Sequence, residues 1–265
     1  MLDTSANNKR IAKNTLMLYF RMVLLLVISL YTSRVILREL GVDDYGVYNV
    51  VGGIIVILSF LNQAMASGTQ RFLNVEMGKN NQKAVNKVFA TSQQIHFGVS
   101  FCMFIIAETV GLWFLNNYMN IPEGRLGAAN WVYQFSIISA IFGVFTVPYN
   151  ATIISHEKMS AFAYISIVEA VLKLLVAFAI IWAPYDKLII YAALIMLVSM
   201  INCVVYVNYG IKNFEECRHF TLKRNKLMMK QMLSFSGWTV FGNLGYILHT
   251  QGIAIVVNMF FTVAV

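Results

Sequence analysis

TLMLYFRMVLLLVISLYTSRVIL, residues Thr15–Leu37, holds only two charges, Arg21 and Arg34, in an otherwise apolar run. A helix crosses a bilayer with about 20 predominantly apolar residues, and this stretch is long enough. Its apolar residues are continuous rather than alternating, which favours a helix over a barrel strand. The preceding segment is polar and basic, with Lys9, Arg10 and Lys13. That order imitates a secretory signal. The apolar run is too long for a signal core, however, and no small-x-small cleavage site follows it, so it reads as a retained first span.

Six further stretches of the same kind follow: Tyr45–Ser67, Val88–Leu115, Ala129–Ile153, Met159–Ala183, Leu188–Ile211 and Phe235–Phe261. Of the 265 residues, 58% are hydrophobic and 12% charged, with a mean hydropathy of +0.66. A soluble domain carries about 25% charged residues. This chain cannot clothe a soluble globule in charge, and it is too apolar for disorder. The expectation is an all-α polytopic membrane protein of about seven transmembrane helices.

The net charge of +8 sorts by loop. The N-terminal tail and the loops after the second, fourth and sixth spans sum to +9, carried by residues such as Lys79, Lys83, Arg218 and Lys230. The alternate loops, with Glu39, Asp43, Asp44, Glu123, Arg125, Asp186 and Lys187 among their charges, sum to −2, and five charges within spans leave +1. Positive charge stays on the cytoplasmic side, so the N-terminus is expected in the cytoplasm. The asymmetry explains the basic balance without nucleic acid. Trp113 with Tyr118, Trp131 with Tyr133, and Trp182 with Tyr185 fall at the outer span ends, as interfacial aromatics do. Cys102, Cys203 and Cys217 show no metal or redox spacing.

A shift of 221 residues lays Lys13–Arg21 on Ser234–Gly242, each opening a span after a basic segment. This weak repeat predicts six helices per half. Residues 1–233 would be a six-helix N-terminal lobe and residues 234–265 the first helix of a C-terminal lobe. The chain is therefore expected to be the N-terminal part of a longer protein. Parallel repeats of this kind are found in transporters.

Ionisable residues inside spans are the first candidates for function, because each is expensive in lipid. Arg21 is a candidate cavity cation for an anionic substrate group, or it snorkels to headgroups. Arg34, near the outer end, can snorkel outward. Glu169 and Lys173 are four apart, on one helical face with Ser166. They are either a neutralised pair or a cavity-lining pair, with Lys173 meeting an anion and Glu169 coupling to an ion or proton. Glu108 stands alone and is a second proton or ion candidate, or it pairs with a basic residue elsewhere. In the second span Gly52, Ser59, Asn62, Gln63, Ala66, Ser67 and Gln70 share a face. The stripe is a hydrophilic cavity wall or small-residue helix glue, and Arg71 closes it. In the seventh span Gly242, Tyr246 and His249 share a face, with His249 as a titrating candidate. Pro148 inside the fourth span is a candidate hinge. No G-x-S-x-G, H-E-x-x-H, P-loop or C-x-x-C motif is present, so neither an enzyme nor a cofactor or metal is expected.

Five short segments carry a resemblance. They are NKRIAKNT (Asn8–Thr15), RELGVDDYGVY (Arg38–Tyr48), GTQRF (Gly68–Phe72), VPYNA (Val147–Ala151) and SFSGW (Ser234–Trp238). The series resembles the Wzx-type polysaccharide and O-antigen flippases of the multidrug/oligosaccharidyl-lipid/polysaccharide exporter superfamily. The resemblance implies two six-helix lobes around a central cavity in the bacterial inner membrane. It implies a lipid-linked oligosaccharide pyrophosphate as substrate, protons or sodium as coupling ions, and functional association with polysaccharide polymerase and glycosyltransferases. Arg21 matches the cationic cavity residues of that family. The candidate substrate residues are Arg21, Asn62, Gln63, Gln70, Arg71 and Lys173. The coupling candidates are Glu108, Glu169 and His249. The alternatives are a cation-coupled multidrug exporter of the same superfamily, a membrane enzyme of glycan assembly, and a seven-helix receptor.

Overall fold

The computed structural model describes residues 4–122, 124–218 and 225–260. Among these residues every regular element is a helix, so the chain belongs to the all-α class. Helix α1 covers residues 4–40 and α2 residues 42–78. The stretch Thr4–Gly78 is helical throughout except at Gly41, where φ is 78° and ψ is 174°. Glycine meets that positive φ at no steric cost, which lets one residue join two helices. Helix α3 is Gln82–Tyr118 with a π-helical turn at Ala107–Gly111, and α4 is Leu126–Ser155. Helix α5 is Met159–Trp182, closing in a 3-10 turn, α6 is Lys187–Asn213 and α7 is Lys226–Phe260. Among the described residues five stretches are long and apolar enough to span a membrane, the first running across Gly41 from Ile11 to Ile55. The chain is a multi-pass membrane protein.

The helices outrun the apolar stretches that announce them. Helix α2 continues past Ser67 to Gly78, and α7 begins at Lys226 rather than Phe235. Hydropathy sees only the lipid-facing part of a helix. Polar turns such as that holding the Glu76–Lys79 pair, 2.7 Å apart, extend it beyond the hydrocarbon.

Helix α4 packs against α6, α3 and the α1–α2 pair. A helix apolar on all sides belongs inside a bundle. Two apolar cores stack along it. One gathers Val47, Leu115, Val132, Tyr133, Ile180 and Leu188. The other gathers Leu73, Val85, Phe89, Ala151, Ile153 and Phe214. Helix α4 runs on through Pro148, and the Thr152 hydroxyl donates to the Pro148 carbonyl at 2.9 Å. In α3 the π turn brings a glycine under a tyrosine. The Tyr133 hydroxyl donates to the Ala107 carbonyl at 2.8 Å, and a Cβ on Gly111 would collide with that hydroxyl.

Charge clusters close both ends. At the first, Arg125 before α4 grips two carboxylates. Its Nε donates to Asp44 Oδ1 at 2.7 Å, its Nη1 to Asp186 Oδ2 at 2.6 Å, and its Nη2 to both acids. Lys187 meets Glu39 at 2.9 Å beside it. Asp186 also caps α6, accepting from the Leu188 and Ile189 amides. At the opposite, basic end Glu216 is almost fully buried between His156 Nε2 at 2.6 Å and Gln82 Nε2 at 3.3 Å. His156 stacks on Phe214, ring centroids 4.3 Å apart.

Candidate functional site: a charge cluster between α1, α5 and α6

Met159 opens α5 at the basic end, and its next turns carry Phe162, Ser166, Glu169 and Lys173 on one face. The face meets α1 and α6. The Arg21 guanidinium lies over the Phe162 ring, 4.2 Å from its centroid. Arg21 Nε is buried and has no hydrogen-bond partner. One turn on, the Ser166 hydroxyl donates to the Phe162 carbonyl at 2.8 Å, and the Tyr206 hydroxyl bonds to Ser166. Tyr206 feels the charges of both Arg21 and Glu169, which places the three side chains in one electrostatic neighbourhood. Both oxygens of Glu169 are engaged: Oε1 takes Lys173 Nζ at 2.6 Å and Oε2 takes Asn202 Nδ2 at 3.0 Å.

Arg21, Ser166, Glu169 and Lys173, separate in the sequence, thus stand in one cluster. Its chemistry is lopsided. Glu169 is neutralised by Lys173 and held by Asn202, whereas among the described residues the Arg21 cation rests on an aromatic face with its Nε–H unmet. The net positive site would take an anion. A guanidinium with free donors is suited to phosphate oxygens.

Other candidates lie apart. Glu108 sits in the π turn of α3, where Gln134 Nε2 of α4 donates to Oε2 at 3.2 Å and Oε1 is buried without a partner. On α2, Asn62 and Gln70 are half-buried, and Asn62 Oδ1 has no partner. Arg71 is exposed and stacks over Phe235 of α7, 4.3 Å from the centroid. Gly68 packs so closely on α7 that a Cβ would lie 2.6 Å from Ser236 Oγ, so α2 meets α7 on the side away from the polar stripe. Arg34 is exposed near the end of α1. Gln63 and His249 fall in α2 and α7, and their side chains lie outside the described residues. Sequence reading passed over Phe162, Asn202 and Tyr206. Asn202 and Tyr206 are four apart and polar within an apolar helix, which is the signal that marks their shared face.

Outside the spans, the end clusters tune their own acids. Burial raises the Asp186 carboxyl, but the bonds and charge of Arg125, with two backbone amides, outweigh it and hold the group below its usual value. Burial likewise opposes ionisation of Glu216, and the bonds from His156 and Gln82 prevail and lower it. Burial, then the Glu216 charge, pushes the Cys217 thiol up to about 12.

No family model matches the chain, and no curated protein matches it by sequence. A solved structure does match in fold: an inward-facing multidrug resistance MATE family transporter of the MOP superfamily, with a TM-score of 0.74 at 11% identity. The match covers 88% of this chain and 52% of that one, so the chain spans about half the length of the structure it resembles. Two helical ends locked by charge clusters, a bundle centred on α4 and this likeness together give the chain the fold of a MATE-like transporter bundle.

Proposed function

We propose that the chain is the N-terminal lobe, with the first helix of a second lobe, of a flippase for a lipid-linked oligosaccharide pyrophosphate. The observation that carries the reading is Arg21, a membrane-embedded cation backed by Phe162 with an unmet buried N–H. A pyrophosphate-linked sugar cannot enter hydrocarbon unaided, because its charge would be desolvated. A cationic cavity replaces that hydration, and the lipid tail stays in the bilayer. Lys173, further along the same face of α5 than Ser166, offsets Glu169, so the cluster keeps the net positive charge of Arg21. Polar side chains of α2, Asn62 and Gln70 among them, offer hydrogen bonds to sugar hydroxyls. Glu108, with one oxygen unmet beside Gln134, is the proton-coupling candidate. The basic loops support an N-terminus in the cytoplasm, and the membrane in this reading is a bacterial inner membrane. Alternating access follows if the two lobes rock against each other.

Multidrug export is the second reading. It is favoured by the likeness in fold to a multidrug resistance transporter and by the two membrane carboxylates, Glu108 and Glu169. The pairing of Glu169 with Lys173 weighs against it, since an organic cation needs an unpaired acid. The two are separated by placing Arg21→Ala and Lys173→Ala singly in the chromosomal gene. Flipping predicts loss of surface polysaccharide at unchanged protein level with no change in ethidium efflux. Normal polysaccharide in both mutants would overturn the cavity assignment.

A further inference from the structure

Glu169 stands ten residues into α5 from Met159, about 15 Å from the basic end of that helix. A carboxylate at that depth is expensive unless it is paired, and Lys173 Nζ pairs it at 2.6 Å. That pair alone meets the electrostatic demand. Asn202 nevertheless donates from α6 to the second oxygen at 3.0 Å. Ser199, one turn away on α6, behaves differently: its hydroxyl turns back to the Ile195 carbonyl of its own helix at 3.1 Å. The Asn202 amide instead crosses to α5. With the charge already neutralised by Lys173, the added bond supplies direction.

Direction matters because of what lies along the same face. Side chains on a helix lean toward its N-terminus, so an untethered Glu169 leans along α5 toward Ser166 and Phe162. Phe162 and Glu169 are seven residues apart, which is two turns and nearly the same line of the helix. Arg21 waits there, with its guanidinium over the Phe162 ring and its Nε–H unmet. Glu169 is a carboxylate that shares this neighbourhood: Tyr206, hydrogen-bonded to Ser166, feels the charges of both Arg21 and Glu169. The polar face of α6 follows that of α5 turn by turn, Asn202 opposite Glu169 and Tyr206 opposite Ser166.

Two arrangements of the same three charges are therefore available. With Glu169 on Lys173, the Arg21 cation is left for a ligand. With Glu169 on Arg21, that cation is answered from within, and Lys173, whose side chain is 43% exposed, is released to snorkel away. The net charge is equal in both. What differs is which cation stands open, and the planar fork of a guanidinium matches phosphate oxygens in a way that an ammonium does not.

We infer that Asn202 is a positioning residue: together with Lys173 it holds the Glu169 carboxylate off Arg21 and keeps the guanidinium open to an anionic ligand. The inference rests on the reading of Arg21 as an anion site, and it adds the device that stops the cluster from occupying itself. Both oxygens of Glu169 are tethered, one by each partner, so loss of either tether frees the carboxylate to compete.

The test uses the whole chain in nanodiscs of phosphatidylcholine, which carries no net charge, with inorganic pyrophosphate as the probe in isothermal titration calorimetry. Arg21→Ala separates binding at the cluster from binding at the basic loops. Asn202→Leu should weaken the Arg21-dependent binding about tenfold, because a hydrogen bond to a charged group weighs at least that much in an equilibrium. In a Glu169→Gln background the same substitution should change nothing, since no anion remains to be released. Asn202→Gln keeps an amide donor and should lie nearer the parent than Asn202→Leu. Lys173→Ala frees the other oxygen and gives an independent arm, whose loss should likewise shrink in the Glu169→Gln background. A loss of equal size in both backgrounds would make Asn202 a ligand or a packing residue. That result would overturn the inference and leave the anion reading standing, as would Asn202→Leu and Lys173→Ala variants that both bind like the parent. Pyrophosphate binding unchanged by Arg21→Ala would overturn the anion reading itself, and the inference with it.

Discussion

Arg125 offers the sharpest test of how the bundle is closed. It ties the starts of α2, α4 and α6 through two carboxylates, and its side chain is 28% exposed against 20% for Asp44 and 29% for Asp186. Exposed pairs are worth about 0.2–1 kcal/mol, and breaking a fully buried one costs about 3–5 kcal/mol. A network of intermediate burial with both acids left facing each other belongs between, at about 2 kcal/mol for Arg125→Leu. For a chain of this size that lowers the thermal midpoint by about 4–8 °C. The assay is unfolding in detergent micelles followed by tryptophan fluorescence. Adding Asp44→Asn and Asp186→Asn to Arg125→Leu removes the stranded charges, while the amide oxygen of the second replacement can still cap α6. The triple variant should regain more than half of the loss. The pH dependence has a fixed sign. Asp186 is held below its usual value in the folded protein, so its contribution is present above the ordinary carboxylate range. It fades as pH falls through that range and below. A midpoint for Arg125→Leu indistinguishable from the parent's, or a triple variant no better than the single, would refute the reasoning.

Three further outcomes follow from the packing. Glu216→Gln should cost about 1–3 kcal/mol by weakening the bond to His156, and the parent's stability should fall in acid as the lowered carboxyl of Glu216 is protonated, which a pH series of melting curves reads. Gly111→Ala should destabilise by about 1–3 kcal/mol because its Cβ meets the Tyr133 hydroxyl, and adding Tyr133→Phe should recover part of the loss in the same melting assay. Cys217, buried with its thiol pushed up to about 12, should resist maleimide near neutral pH in the folded protein and react on unfolding, as mass spectrometry would show.

The spans were legible because lipid demands long apolar runs, and the observed helices fall on them. Their true ends were not, since polar turns such as those after Ser67 or before Phe235 carry no hydropathy signal. The Glu169–Lys173 pair was legible from its spacing of four. That Asn202 holds the other oxygen of Glu169 was not, because no pattern within α6 says which neighbour its polar face meets. Arg125, Asp44 and Asp186 count as ordinary loop charges in the sequence, and only the convergence of three helix starts makes them a clasp. The polar face of α2 was read as a wall or as helix glue. The close approach of Gly68 to Ser236 is on the other side of α2 and bears on neither alternative.

The one-residue joint at Gly41 has a mechanical consequence. Glu39 and Asp44 flank it, each tethered to another helix by Lys187 or Arg125. A connection without slack transmits displacement rather than absorbing it, so a shift of α1 at Glu39 reaches α2 at Asp44 and, through the two tethers, α6 and α4. Arg21 lies on one of the joined helices and Arg71 on the other, so both cations hang from the same clasped joint.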